Sequence, residues 1–375
     1  MTTAVVALPG RDRPLIISEP GWATGYPPPA SRSVYAAAHV AATADGGIDW
    51  ESTLGFRDHL WAHGFGVAEA MDTAQRGMGL TWPRARELIE ATAARAAASG
   101  AVVAAGAGTD QLPPGEHPLP AIVAAYEEQL GAVEAAGAQV VLLASRALAA
   151  SARSARDYLD VYGHLLRQAR QPVMVHWLGE AFDPALRGYW GGGDFGSCAD
   201  TVTELVDRAG GQVAGIKLSV LDEASEVSLR RRLPAGVRLY TGDDFHYADL
   251  IKGGPDGHSD ALLGAFAAIT APAAAALHAL DAGDLASYDA AMGPTVALSL
   301  ALFEAPTFHY KAGIAFLAWL NGLQPEFVML AGCHRLRPPG HLLRVTGLAA
   351  AAGALARPAL AADRIGQYLR QAGLT

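Results

Sequence analysis

The residue most suggestive of chemistry is Lys217, which lies in the short apolar run Val213-Ala214-Gly215-Ile216-Lys217-Leu218-Ser219. An ammonium group is costly to bury, and a lysine removed from water responds by lowering its pKa. An uncharged amine at neutral pH is the nucleophile that forms a Schiff base with a carbonyl compound. A strand-end lysine that reaches solvent or pairs with a carboxylate gives the same pattern, so this run alone leaves both interpretations open.

Other polar residues end neighbouring apolar runs and are candidates to act with this lysine. His176 is the best local general acid or base, since imidazole titrates near neutral pH. Trp177 is either a packing residue or a platform for a sugar ring. One of Asp243 and Asp244 is expected to cap the following helix and the other to face the substrate. The candidate substrate-binding residues are Glu69, Asp72, Thr73, Arg146, Trp177, Ser219, Asp243 and Asp244.

A divalent metal site is the alternative interpretation of the same residues. Enough nitrogen and oxygen ligands for one are supplied by Glu69, His176, Glu180, Asp243, His246, His258 and Asp260. No compact spacing such as H-E-x-x-H is present, so this interpretation depends on convergence in the fold alone. We therefore expect no cofactor and keep the metal as the alternative.

Composition excludes several classes of protein. The net charge of -9 over 375 residues argues against a nucleic-acid-binding surface. The two cysteines, Cys198 and Cys333, have no paired spacing, which fits a reducing cytoplasm. No signal peptide is apparent, and the Ala-rich stretch 350–362 is interrupted by Gly353, Arg357 and Pro358, so no membrane span is expected.

Eight apolar β-like runs alternate with helix-patterned segments. Such alternation predicts parallel strands joined by right-handed crossovers, and the count favours a closed (β/α)8 barrel. The predicted strands are Val34–Val40, Gly66–Ala70, Ala101–Gly106, Ala138–Ala144, Pro172–Trp177, Val213–Leu218, Val237–Thr241 and Asp256–Asp260. In a barrel, catalytic groups lie at the carboxyl ends of the strands, so residues ending different runs can converge.

Three regions are predicted along the chain. Residues 1–32 form a proline-rich N-terminal extension, and residues 33–270 form the barrel. Residues 271–375 form a C-terminal helical region packed on the barrel. The helices predicted there are Ala271–Ala282, Leu285–Ala305, Thr307–Leu320 and His341–Leu355.

Several segments resemble one superfamily in order along the chain. They are Ala42-Thr43-Ala44-Asp45-Gly46-Gly47-Ile48-Asp49, Gly79-Leu80-Thr81, Ala104-Ala105-Gly106-Ala107-Gly108-Thr109, Gly215-Ile216-Lys217, Thr241-Gly242-Asp243-Asp244 and Tyr310-Lys311-Ala312. This order resembles the dihydrodipicolinate synthase and N-acetylneuraminate lyase superfamily of Schiff-base aldolases. The resemblance spans residues 34–325 and implies a (β/α)8 barrel, a catalytic Lys217, no organic cofactor, and a homodimer or homotetramer.

The chain departs from that superfamily at three places. The Gly-Thr-Thr-Gly-Glu run that holds a substrate carboxylate is replaced by Asp72-Thr73-Ala74-Gln75-Arg76, which suits a hydroxyl-rich ligand better. The proton-shuttling tyrosine falls near Ala147-Leu148-Ala149, where no tyrosine is present. His176-Trp177 replaces a Tyr-Asn run, so His176 is expected to take over the proton transfers.

These features predict a class I aldolase-type lyase that acts on a small 2-oxo acid or keto-sugar-derived substrate in the cytoplasm. The alternatives are a metal-dependent sugar isomerase, epimerase or hydrolase, and a binding protein that has lost its chemistry, because fold does not fix function.

Overall fold

The computed structural model describes residues 2–10, 12–71 and 75–374. The chain divides into two compact units, and strands and helices are numbered in chain order. The barrel unit consists of Arg32–Ala37 and Gly66–Leu263. The terminal unit consists of Met1–Ser31, Ala38–Phe65 and Gly264–Thr375.

The barrel unit contains eight parallel strands that close into a barrel. They follow one another around the barrel in chain order, and the last strand pairs with the first to close it. The strands are β3 (Val34–Ala37), β4 (Gly66–Glu69), β5 (Val103–Ala107), β6 (Gln139–Leu142), β7 (Val173–Leu178), β8 (Val213–Ser219), β9 (Arg238–Thr241) and β10 (Asp260–Leu263). With a helix between consecutive strands, this is the (β/α)8 fold that the alternation predicted, and the prediction is confirmed.

The helices of the barrel unit begin at recognisable caps. Pro83 stands in the first turn of the helix that follows Thr81, and Ser154 and Asp157 form a reciprocal capping box at another. The helices are α2 (Trp82–Ser99), α3 (Leu119–Ala136), α4 (Arg146–Ser151), α5 (Ala155–Gln168), α6 (Phe195–Arg208), α7 (Glu223–Arg232) and α8 (Tyr247–Lys252).

Alternation along each strand decides which side chains enter the barrel. A buried cluster unites one or two residues from most of the strands: Tyr35, Ala37, Ala68, Met71, Ala104, Val141, Leu143, Met174, Tyr240 and Leu262. Because successive side chains of a strand point to opposite faces, residues two positions from these share the interior, and their immediate neighbours face the surrounding helices. This rule separates the candidate residues below.

The terminal unit contains an antiparallel pair of strands, β1 (Thr3–Val6) and β2 (Leu15–Ser18), which the sequence analysis did not predict. Its helices are α1 (Trp50–Trp61), α9 (Thr270–Asp281), α10 (Leu285–Leu302), α11 (Tyr310–Leu320), α12 (Pro339–Ala351) and α13 (Pro358–Gln371). Four of the last five were expected, whereas α13 was missed. The expected start of α11 at Thr307 is a separate 3-10 turn, Thr307–His309.

Two boundaries differ in ways that bear on function. The last barrel strand runs over Asp260–Leu263 and not over Asp256–Asp260, because Gly254 and Gly257 exchange backbone hydrogen bonds of 3.0 Å in a tight turn. Arg146 does not end a strand but begins α4, whose N-terminus is capped by the Ser145 hydroxyl. None of the helices in the described ranges is long and apolar enough to cross a membrane.

Candidate active site

Three polar side chains meet inside the barrel unit. Nζ of Lys217 lies 2.9 Å from Nε2 of His176 and 3.1 Å from Oγ of Ser219. The same imidazole nitrogen lies 3.0 Å from the Ser219 hydroxyl, which closes a triangle of polar atoms. Lys217 is 8% exposed, while His176 and Ser219 are almost completely buried. We call these three residues the lysine triangle.

Strand register produces this meeting. His176 of β7 is paired with Lys217 of β8, and Lys217 is in turn paired with Tyr240 of β9. His176 stands two positions after the interior residue Met174, and Tyr240 is itself an interior residue. Lys217 and His176 therefore enter the barrel side by side, and Ser219 follows on the same face two positions later.

The triangle can carry out proton transfers at an amine. Imidazole is either a donor or an acceptor at each ring nitrogen, depending on tautomer and charge. Nε2 of His176 can thus accept a hydrogen bond from Lys217 or donate one to its neutral form. The Ser219 hydroxyl can also do both. A buried amine with two such neighbours is suited to the formation and breakdown of a carbinolamine, which requires protons to move on and off nitrogen and oxygen.

Close packing beside Ser219 explains a glycine of the Thr241-Gly242-Asp243-Asp244 segment. The amide of Gly242 donates a hydrogen bond of 2.7 Å to the carbonyl of Leu218. A Cβ atom at Gly242 would lie 2.8 Å from that carbonyl oxygen and would collide with Oγ of Ser219. The loop after β9 is therefore held directly against the lysine triangle, and only glycine fits at the contact.

Asp243 and Asp244 have separable positions in this loop. Oδ1 of Asp243 accepts hydrogen bonds from the backbone amides of Phe245 and His246, at 2.8 and 3.0 Å. Both amides precede α8, whose N-cap residue is His246 and whose N-terminus has no side-chain cap among the described residues, so Asp243 stabilises the loop and does not cap the helix. The neighbouring Asp244 is also buried.

A histidine completes the arrangement around Asp243. Oδ2 of Asp243 lies 2.8 Å from Nδ1 of His246, whose side chain is 43% exposed. Partial burial alone would lower the pKa of His246. The hydrogen bond and charge of Asp243, together with the charges of Glu223 and Asp222, raise that pKa above its usual 6.5. Sequence reasoning considered His246 only as a metal ligand.

Two of the predicted substrate-binding residues face away from the lysine triangle. Glu69 is adjacent to the interior residue Ala68, so its carboxylate points to the outer face of β4, where it accepts a hydrogen bond of 2.8 Å from the Thr92 hydroxyl on α2. Trp177 is adjacent to His176 and likewise faces outward, stacked on Phe195 of α6 at 5.0 Å between ring centroids. Strand alternation corrects both assignments, since each of these residues packs the barrel wall against a helix.

Arg146 also has a defined partner. Its side chain is 67% exposed and forms an ion pair with Asp183. This ion pair with a carboxylate is an alternative to the substrate contact predicted for Arg146. Asp72 and Thr73 lie outside the described residues.

A network of hydroxyl groups lies after β6, near the segment where the sequence lacks the superfamily's proton-shuttling tyrosine. The Tyr189 hydroxyl accepts a hydrogen bond of 2.9 Å from the amide of Ser145 and lies 2.9 Å from the Tyr162 hydroxyl. Oγ of Ser145 is 2.6 Å from the Thr109 hydroxyl. Burial raises the pKa of Tyr162 and of Tyr189 well above 10, so both phenols stay protonated. Three tyrosines from distant segments (Tyr126, Tyr162 and Tyr189) meet here, which no local motif could indicate.

The residues proposed as metal ligands do not assemble. Asp260 opens β10, where it accepts from the Ser33 amide and pairs with Arg238, and Glu180 pairs with Arg187 on the surface. Within residues 2–10, 12–71 and 75–374, no group of three or more His, Cys, Asp or Glu side chains could hold a metal ion.

The fold is similar to that of solved dihydrodipicolinate synthases. Dihydrodipicolinate synthase from Aquifex aeolicus aligns with a TM-score of 0.65 and 14% identity, covering 85% of this chain and 97% of that one. The enzyme from Acinetobacter baumannii complexed with pyruvate aligns with a TM-score of 0.63 and 17% identity over 86% and 99% of the two chains. The enzyme from Oceanobacillus iheyensis gives 0.61 and 15% over 85% and 95%.

The fold is therefore the (β/α)8 barrel of the dihydrodipicolinate synthase type, as the sequence resemblance implied. The chain itself belongs to the family described as "Protein of unknown function (DUF993)", which matches residues 11–374. A comparison with curated proteins gives no significant match.

Proposed function

We propose that this protein is a class I aldolase-type lyase in which Lys217 forms a Schiff base with the ketone of a small 2-oxo acid or keto-sugar. The observation that carries the proposal is the lysine triangle: a buried amine within 2.9 Å of an imidazole and 3.1 Å of a hydroxyl. Similarity to dihydrodipicolinate synthases supports the general class through the fold.

The first half of the proposed reaction uses all three residues of the triangle. Neutral Lys217 attacks the ketone carbon, and a proton passes from nitrogen to the former carbonyl oxygen to give a carbinolamine. His176 relays this proton, because its Nε2 reaches both the amine and Ser219. Protonation of the carbinolamine hydroxyl releases water and leaves an iminium ion.

The iminium then accepts the electron pair of a neighbouring carbon–carbon bond. The bond between the α-carbon and the β-carbon breaks as the hydroxyl on the β-carbon loses its proton and becomes an aldehyde. The electron pair forms an enamine on Lys217. Protonation of the enamine carbon and hydrolysis of the resulting iminium by water release the second product, a ketone, and regenerate the amine.

Substrate contacts are proposed from position along the chain. Asp244 follows β9 in the loop at the carboxyl end of that strand, where barrel enzymes bind substrates. Asp72 and Thr73 are kept as proposed contacts from the sequence alone. Two aspartates in this set favour a substrate rich in hydroxyl groups. The pyruvate bound to the Acinetobacter baumannii enzyme keeps 2-oxo acids in the set to be tested.

The test is reductive trapping with sodium borohydride in the presence of pyruvate, other 2-oxo acids and keto-sugars, read by peptide mass spectrometry. The chain contains only three lysines, Lys217, Lys252 and Lys311, so the modified residue is identified without ambiguity. We expect a stable adduct on Lys217 and none in a Lys217→Ala variant. A Lys217→Ala protein that keeps full turnover would refute the mechanism, and ligand-dependent stabilisation without adduct or turnover would favour a binding protein.

A further inference from the structure

The Asp243–His246 pair is not used by the reaction as described so far. Asp243 is completely buried and accepts hydrogen bonds from two backbone amides of its own loop. A carboxylate held in this way cannot turn, so its second oxygen fixes the orientation of the His246 ring. Nδ1–H of His246 donates to that oxygen at 2.8 Å, which leaves the lone pair of Nε2 available on a partly exposed ring.

The position of the pair links it to Lys217. Its loop begins at Gly242, which packs against Ser219, and Ser219 contacts the amine of Lys217. The other charged groups that act on His246 come from the loop and first turn after β8, namely Asp222 and Glu223. His246 therefore lies between the loops that follow β8 and β9, at the end of the barrel where Lys217 stands.

We infer that Asp243 and His246 form an Asp–His dyad that removes the proton from the substrate hydroxyl when the carbon–carbon bond breaks. This inference rests on the proposed function and deepens it. Two proton transfers are thereby divided between two histidines: buried His176 serves the nitrogen of Lys217, and rim-facing His246 serves the oxygen of the departing aldehyde.

The chemistry of the step defines the substrate class. Nε2 of His246 takes the hydroxyl proton, the oxygen electrons form the new C=O bond, and the broken C–C bond supplies the enamine. The imidazolium afterwards loses its proton to water. The substrate must therefore be a β-hydroxy ketone, with its hydroxyl on the second carbon from the carbonyl.

The dyad also implies a pH dependence. His246 acts as a base only when it is neutral. Since Asp243, Asp222 and Glu223 raise its pKa, cleavage should increase with pH and have an inflection above 6.5. In Asp243→Asn the NH2 group of the side chain would face Nδ1 of His246. It would favour the tautomer that carries its hydrogen on Nε2, and this tautomer cannot accept a proton there. Cleavage should fall in that variant, and any residual inflection should move to lower pH.

The experiment measures adduct formation and cleavage separately, with 4-hydroxy-2-oxopentanoate and D-fructose as probes. Adducts are trapped with borohydride, and cleavage is followed through the released aldehyde. In His246→Gln we expect the yield of Lys217 adduct to stay within about two-fold and cleavage to fall roughly 100-fold, the usual contribution of a general base. His258→Gln is the matched control, because His258 precedes β10 and so lies at the opposite end of the strands.

The outcomes distinguish failure of the Schiff base on Lys217 from failure of the Asp–His dyad. Absence of any adduct on Lys217 with either probe would overturn the proposed function itself. An adduct without wild-type cleavage of either probe, or a His246→Gln protein that cleaves as fast as wild type with the same pH profile, would overturn the dyad while leaving the Schiff base intact. A His258→Gln protein as impaired as His246→Gln would also overturn it.

Discussion

Two of the three lysines are buried, one in each unit, and their surroundings differ. Lys217 stands on a barrel strand with an imidazole nitrogen at 2.9 Å and a hydroxyl at 3.1 Å. Lys311 is 2% exposed on α11, and its Nζ lies 4.9 Å from the centre of the Tyr310 ring. The face of an aromatic ring attracts a cation, whereas an imidazole and a hydroxyl can exchange protons with an amine.

Each unit also contains an almost completely buried histidine, His176 in the barrel unit and His39 in the terminal unit. Nε2 of His176 lies within hydrogen-bond distance of Lys217 and Ser219, two groups that are chemically able to exchange protons. Nε2 of His39 lies 2.7 Å from the amide oxygen of Gln324, a group that does not titrate. The pKa of His39 is lowered to about 3, mainly by burial; the Gln324 hydrogen bond opposes this shift, and the charges of Arg57 and Lys311 add to it. Burial is thus common to both regions, and the chemical nature of the neighbours is what distinguishes the candidate active site.

The largest expected effect comes from replacing each buried lysine by methionine: one variant should lose activity and the other should lose stability. Lys217→Met keeps an unbranched side chain of nearly the same length and removes the amine, so turnover should fall by at least about 1,000-fold. His176 and Ser219 still contact each other at 3.0 Å, so stability should change little. Lys311→Met should keep the borohydride adduct on Lys217 and lose about 1–2 kcal/mol of stability, the value of a buried cation–π contact.

Adduct formation and the free energy of unfolding are measured on the same preparations, by borohydride trapping and by urea unfolding. If Lys311→Met abolished the adduct while the protein remained folded, the two lysines would not differ as their neighbours imply. Lys252, which pairs with Asp249 at 3.8 Å on α8, should remain unmodified in every protein.

A second pair of variants tests the histidines. In His176→Gln the amide cannot relay a proton, so the rate of adduct formation should fall roughly 100-fold, within the usual range for general acid–base catalysis. His39→Gln alters a buried hydrogen bond, so it should cost about 1–3 kcal/mol of stability and leave the rate of adduct formation unchanged. Equal rates in the two variants would show that His176 is not a proton relay.

The sequence predicted the barrel and its lysine strand because both depend on short-range signals. Apolar runs at regular spacing indicated parallel strands, and a lysine within such a run was conspicuous. The error at Glu69 and Trp177 has one cause: each follows or precedes an interior residue by a single position, and the phase of alternation cannot be read from a strand of four to six buried residues. Contacts that join distant segments, such as Tyr162 with Tyr189, leave no local pattern at all.

Glu226 provides the most selective test of burial without chemistry. It lies on α7, where its two carboxylate oxygens accept hydrogen bonds from the Ser259 and Thr241 hydroxyls at 2.7 and 3.0 Å. Burial raises its pKa from 4.5 to about 7, the two hydrogen bonds oppose the shift, and the charge of Asp243 adds to it. The folded protein thus prefers the protonated carboxyl.

The sign of the pH effect follows from that preference. The contribution of Glu226 to stability is fully present below pH 4.5 and is lost as pH rises towards and beyond about 7, where an ionised carboxylate must stay buried. By the relation between pKa shift and free energy, the loss is about 3 kcal/mol at most. Glu226→Gln is neutral throughout, so urea unfolding at pH 5 and pH 8 should show a smaller decline than wild type, while exposed Glu87→Gln should match wild type. Equal declines in stability in all three proteins would mean that Glu226 is ionised in the folded state. The hydroxyls of Thr241 and Ser259 would then compensate for the burial of its charge, as two backbone amides do for the buried carboxylate of Asp243.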